Sequence, residues 1–134
     1  MTEFVTDTHS IIWFLSKNKR LSGNARTIFL KAQSGYSTII VPSIVIAETL
    51  FLIQRNRVEK MVLDVLLELP EYPHEGIYIY PLNKGVIETM SDFGPAAIPE
   101  LTDRIIAATA RYLNIPLLTV DHVIDNSELV ETVW

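Results

Sequence analysis

The chain has 134 residues, 49% of them hydrophobic, which is too apolar for a disordered tail and enough for one folded domain burying about two-thirds of its unfolded surface. Lys and Arg number 11 against 16 Asp and Glu, a net charge of −5, which argues against binding nucleic acid through overall charge but leaves room for a local basic patch or for a metal ion in an acidic cleft. There is no cysteine, so disulfides and thiolate metal sites are excluded. Phe4–Thr6 reads as a first buried strand, followed by Asp7 and Thr8 at a strand-to-helix turn. Ile11 to Leu15 form a short, nearly all-apolar helix that must be buried on most sides. Lys17-Asn18-Lys19-Arg20 is a basic break, either a solvated loop or a phosphate-contacting patch at the rim of a cleft.

Ser22 can cap a second helix with Ala25, Ile28, Phe29 and Ala32 on one face, ended by Gly35. Thr38–Val41 is the second strand, closed by Pro42, and Ser43 is suited to cap the next helix. In that helix Glu48 stands alone among Ile44 to Ile53, and a carboxylate inside an apolar run is rarely buried without a partner. Helical side chains lean toward the N-terminus, so Glu48, a turn and a half in, can reach the end of the neighbouring strand. Val58, Met61, Val62, Val65, Leu66 and Leu69 make an amphipathic helix widened by Leu63 and Leu67, either packed on two sides or covered by a partner.

Ile77–Tyr80 is the third strand, and Asn83 can cap a helix carrying Val86, Ile87 and Met90. Gly94, Pro95 and Pro99 mark an irregular loop. Thr102 is placed to cap a helix with Asp103 in its first turn, where the helix dipole favours a carboxylate on structural grounds alone. Asn114 and Pro116 end that helix, Leu117-Leu118-Thr119-Val120-Asp121 is a buried strand ending on an aspartate, and Val130–Val133 is a short last strand. Strands alternating with helices predict an α/β fold with a mainly parallel sheet and right-handed crossovers. Met1 to Ser10 lack the pattern of a signal peptide, and no apolar stretch is long enough to span a bilayer, so a cytoplasmic protein without membrane contact is expected.

In such a sheet, residues just beyond the carboxyl ends of the strands line the crevice. Asp7 and Asp121 stand there, and Glu48 and Asp103 lie near the starts of helices that begin on the same side. Four converging carboxylates would repel and raise one another's pKa values. Mg²⁺ or Mn²⁺, hard cations that prefer carboxylate oxygen, would remove the conflict and support hydrolysis of a phosphodiester.

Asp7-Thr8-His9 with Trp13, Ser43 with Glu48, Asp103-Arg104-Ile105-Ile106-Ala107-Ala108-Thr109-Ala110, and Pro116-Leu117-Leu118-Thr119-Val120-Asp121 together resemble the successive motifs of the PIN-domain ribonucleases, and most of all the VapC toxins of toxin–antitoxin pairs. The resemblance implies a three-layer α/β/α sandwich over residues 1–134. It implies catalytic acids at Asp7, Glu48, Asp103 and Asp121 and a divalent metal, Mg²⁺ or Mn²⁺, with Asp7, Asp103 and Asp121 as its ligands. It further implies an RNA substrate, a homodimer, and a VapB-like antitoxin seated in an apolar groove around Ser43–Ile53 and Val58–Leu69.

Thr6, Ser43 and Thr119 lie beside the acids and could orient them, and Arg104 and His122 are candidate substrate contacts. His9 reads as structural, and His74, between Pro73 and Glu75, carries no argument. The alternative is an inactive module of the same fold that binds RNA or protein. A phosphoaspartate domain fits poorly, because Asp7 has no second acid beside it and His9 stands two residues on.

Overall fold

The computed structural model describes residues 2–71, 73 and 76–134, so His74 and Glu75 lie outside the described residues. The elements run β1 (Thr2–Thr6), α1 (Thr8–Leu15), α2 (Gly23–Gln33), β2 (Ser37–Pro42), α3 (Ser43–Gln54), α4 (Lys60–Leu67), β3 (Gly76–Tyr80), α5 (Lys84–Thr89), a 3₁₀ turn (Met90–Asp92), α6 (Leu101–Leu113), β4 (Leu117–Leu118), α7 (His122–Asn126) and β5 (Thr132–Val133). The strands form one parallel sheet in the order β3-β2-β1-β4-β5. Helices layer on it as an α/β/α sandwich, with α2 over β2 and β3 and α6 over β1.

The strands read as continuous apolar runs because they are covered on both faces. Val5, Ile39, Ile40, Val41, Leu117 and Leu118 are fully buried. They meet Phe29 of α2, Leu66 of α4 and Ile106 of α6 in one core. Each such side chain contributes about 1.5–3 kcal/mol when removed from water.

Two of the expected caps are in place. Ser22 accepts from Ala25 N–H at the start of α2, and Asn83 accepts from Val86 N–H at the start of α5. Gly35 follows α2 at φ +80, and Asn114 ends α6 in the left-handed region at φ +56, which only Gly and, less readily, Asn adopt at low cost. Two caps are not where the sequence put them. Pro42 occupies the N-cap of α3 and Glu100 that of α6, so Ser43 and Thr102 are already helical. The ring of Pro42 fixes φ at −57 and ends the strand and begins the helix in one residue.

The expected strand at Leu117–Asp121 is only two residues long. Its neighbours run out: Leu118 is paired with Thr6, the last residue of β1, and with Val133, the last of β5. The chain then turns at Asp121 into α7, a five-residue helix too short to show a period in the sequence. The amphipathic helix of Val58–Leu69 is confined to Lys60–Leu67, and the final strand to Thr132–Val133. Among the described residues no helix is long and apolar enough to cross a membrane.

Candidate active site

Strands β1, β2 and β3 follow one another to one side of the sheet, while β4 returns to the other side of β1. The topology therefore switches between β1 and β4, and in open parallel sheets the crevice for ligands lies beyond the carboxyl ends at that point. Asp7 is the first residue past β1, and Asp121 is the third past β4. A cavity of about 380 Å³ opens there, and Asp7, Glu48, Asp103 and Asp121 all line it.

Each acid is placed by a local cause. Asp7 caps α1: its Oδ1 accepts from Ser10 N–H at 2.9 Å and from Ser10 Oγ at 2.5 Å. Its Oδ2 accepts from Thr119 Oγ1 at 2.6 Å, across the switch point. Thr119 Oγ1 in turn accepts from Asp121 N–H at 3.0 Å, and Asp121 Oδ1 caps α7 through Val123 N–H at 2.8 Å. Thr119 thus links the two strand-end aspartates. Glu48 projects from α3, where its Oε1 accepts a short hydrogen bond from Thr8 Oγ1. Asp103, in the first turn of α6, accepts no hydrogen bond among the described residues.

The electrostatics follow from this crowding. Burial pushes the Asp7 carboxyl above its ordinary range, and the hydrogen bonds from Ser10 and Thr119 only partly oppose the shift. The Asp103 carboxyl is pushed up to about 7, first by burial and then by the charges of Asp121, Glu100, Glu48 and Asp7. A carboxylic acid that holds its proton near neutrality marks a site short of positive charge.

The donor set suits a hard divalent cation, being carboxylate oxygen with hydroxyls behind it and no thiolate. As they stand, however, no three Asp, Glu or His side chains among the described residues form a group that could hold an ion. Both oxygens of Asp7 face hydroxyl donors, and Glu48 faces Thr8. The acids share a cavity without yet closing on one point.

The other residues singled out in the sequence have different surroundings. Thr6 Oγ1 donates to the Asp7 carbonyl at 3.0 Å, not to a carboxylate. Ser43 Oγ accepts from Leu82 N–H at 3.0 Å, tying the start of α3 to the segment after β3. Arg104 turns its guanidinium onto the backbone: one terminal nitrogen donates to Gly94 and Ile98 carbonyls, the other to Met90 and Phe93 carbonyls. It thereby pins the loop that brings Pro99 and Glu100 to the cavity wall. His122 is exposed and is not among the residues lining the cavity, whereas His9 lines it and its ring lies 5.7 Å from that of Trp13.

Thr8, Ser10 and Glu100 were missed from the sequence. Ser10 carried a signal, because a hydroxyl three positions past an N-cap aspartate faces the cap, whereas the Thr8 hydroxyl turns to Glu48, 40 positions away, which nothing local announces.

The PIN domain is the family whose model matches the chain, over residues 4–127. The fold is similar to that in the crystal structure of VapBC2 from Rickettsia felis bound to a DNA fragment from their promoter, with a TM-score of 0.72 over 98% of each chain at 17% sequence identity. No curated protein matches the sequence. With a family model covering all but the ends of its sequence, the chain belongs to the PIN-domain family.

Proposed function

We propose that the protein is a divalent-metal-dependent endoribonuclease of the VapC type, acting in the cytoplasm as the toxin of a toxin–antitoxin pair. The observation that carries the reading is the meeting of Asp7, Glu48, Asp103 and Asp121 in one cavity at the switch point of the sheet. Family membership and the likeness of fold to VapBC2 support it.

Asp7, Asp103 and Asp121 are the residues that would hold Mg²⁺ or Mn²⁺. Such an ion, when bound, neutralises the acids, acidifies water and stabilises charge on a phosphodiester oxygen. The chain supplies the rest. Asp103 releases its proton as positive charge enters the cavity. Thr119 keeps Asp7 and Asp121 in fixed relation, and Ser10 holds the other oxygen of Asp7. Glu48, anchored by Thr8 through one oxygen, keeps the other to accept a proton from the attacking water. Water adds to phosphorus, the bond to the leaving oxygen breaks, and one diester becomes a monoester and a hydroxyl.

The exposed apolar side chains Leu50, Phe51, Met61, Val65 and Leu67 on α3 and α4 are where we place a VapB-like antitoxin, with a homodimer as the expected assembly.

Incubation of single-stranded RNA with the protein and Mn²⁺ tests the activity. Cleavage by the wild type and none by Asp7→Asn is expected, and equal cleavage by both would remove the site. A second reading, an inert module of the same fold, is favoured by the absence of a ready ion-holding group among the described residues. Calorimetric titration separates the two, because no Mn²⁺ binding at millimolar metal would select the inert module.

A further inference from the structure

We propose that the groove next to the acid cavity holds the nucleotides of a single-stranded RNA adjacent to the one that is cut, with a base against Trp13 and backbone phosphates at Arg20 and Arg57. This rests on the nuclease reading and extends it to how the substrate is held.

The groove is a cavity of about 470 Å³, and among its lining residues are His9, Trp13, Arg20, Leu52, Arg57 and Glu59. His9 also lines the acid cavity, so the two meet at that side chain. A strand crossing the acids can therefore continue into the groove.

Charge identifies the occupant. Of the 11 Lys and Arg residues, six lie in two short segments flanking the groove: Lys17, Lys19 and Arg20 after α1, and Arg55, Arg57 and Lys60 before and at the start of α4. Among the described residues the only ion pairs are Lys84 with Glu88 and Arg111 with Asp92, so none of the six is neutralised by an acid. Arg55 stacks on Phe51 at 4.1 Å, which commits its head elsewhere. Arg20 and Arg57 are exposed, and their guanidinium groups make no hydrogen bond among the described residues. In a chain of net charge −5 these are the cations left for a polyanion.

Trp13 adds the second element that single-strand binding uses, an aromatic face for an unstacked base. Arg20 lies over its ring at 5.8 Å from the centroid, and His9 and Trp134 flank it at 5.7 and 6.0 Å, so a base stacks there by displacing the exposed Arg20 head toward the backbone phosphate. Duplex RNA keeps its bases stacked and could not offer one here. A basic peptide would meet Arg20 and Arg57 with Glu59 as its only acid among the lining residues, which disfavours it.

The test is cleavage kinetics of the full chain in Mn²⁺ on a single-stranded RNA of about ten nucleotides, using wild type, Arg20→Gln, Arg57→Gln and the double variant. Both arginines are exposed, so these variants keep the fold. KM is expected to rise about 10-fold in the double variant with kcat held within about twofold, the pattern of lost uniform binding. In a Trp134→Phe background Trp13 is the sole tryptophan, and its fluorescence should be quenched by the same oligonucleotide. An unchanged KM together with unquenched Trp13, in a chain that still cuts RNA, would overturn the groove and leave the nuclease standing. A wild type that neither binds nor cuts RNA would overturn both. Binding of hexaglutamate in the groove, lost in the double variant, without any effect of the variants on RNA, would assign the groove to an acidic protein segment instead.

Discussion

Thr119 donates its hydroxyl proton to Asp7 while accepting from the backbone of Asp121, so one side chain on the segment after β4 sets both aspartates across the switch of the sheet. Replacing it by valine keeps the shape and removes both bonds. Thr119→Val should cost about 1–3 kcal/mol, because a buried carboxylate oxygen loses its donor. If Asp7 and Asp121 hold the cation, affinity for Mn²⁺ should fall about 10–100-fold, as when partners behind metal ligands are removed. Denaturant unfolding and calorimetry read the two effects separately.

Asp7→Asn is expected to abolish cleavage, at least about 100-fold, while leaving stability within ~1 kcal/mol of the wild type. The amide oxygen can still cap α1 through Ser10 N–H, and the Thr119 hydroxyl can rotate to accept from the amide nitrogen. Burial already raises the pKa of Asp7, so a neutral group suits the position. A large loss of stability would mean that the charge itself serves the fold.

The pKa of Asp103 makes the stability of the metal-free protein pH-dependent. Asp103 holds its proton in the folded chain to about pH 7 but in the unfolded chain only near the ordinary 3.8. Between these values the folded state binds more protons, so stability is fully present below the lower value and is lost as pH rises through 7. Asp7 shifts in the same direction. Thermal unfolding in EDTA should show a lower Tm at pH 8 than at pH 5, and Asp103→Asn should flatten the trend. A stability that rises over this interval would contradict the crowding of acids.

Arg104 carries its charge on four backbone carbonyls, that of Met90 in the 3₁₀ turn and those of Phe93, Gly94 and Ile98 in the loop before α6. A lysine reaches few of them with one nitrogen and lacks the planar fork. Arg104→Lys should cost about 2 kcal/mol, in the range of hydrogen bonds to charged groups. It should also open the Gly94–Glu100 segment to limited proteolysis before the rest of the chain. Equal resistance of variant and wild type would show that the carbonyls need no clamp.

A methyl group at Gly85 would come within 2.4 Å of the Tyr112 ring, where α5 lies on α6. The ring tip it meets belongs to an exposed side chain that can swing aside, so lost Tyr112 packing should offset the helix-propensity gain and leave Gly85→Ala within about 1 kcal/mol of the wild type. In a Tyr112→Ala background the same change should stabilise by about 0.5–1 kcal/mol through helix propensity. A larger gain from the alanine in the Tyr112→Ala background than in the wild type, read by denaturant unfolding, is the check.

The sheet was legible because its strands are unbroken apolar runs, and the order of strands and helices followed from where Gly, Pro and Asn interrupt them. Asp7 and Asp121 could be placed past strand ends because such runs stop where the chain leaves the core. The meeting of Glu48 and Asp103 with them depended on helix starts, which the sequence put near enough. Boundaries were harder. Ser43 and Thr102 looked like caps, yet Pro42 and Glu100 hold the extended conformation before each helix. Arg104 looked like a substrate contact because no local signal shows that four carbonyls some ten residues upstream turn toward it. Thr119 was legible as a hydroxyl beside Asp121 that could orient the acids, but that it reaches Asp7, 112 positions away, leaves no local mark.

The two halves of the sheet are unequally built. β1 and β2 pair over four registered positions, whereas β4 meets β1 over two and β5 over two. Amide exchange should accordingly be slowest in β1 and β2 and markedly faster at Leu117, Leu118 and Thr132. One jaw of the cleft is anchored deep in the ladder, and the other hangs on a short hinge of backbone pairs. If a cation draws the acids together, the jaw bearing Asp121 is the side expected to yield.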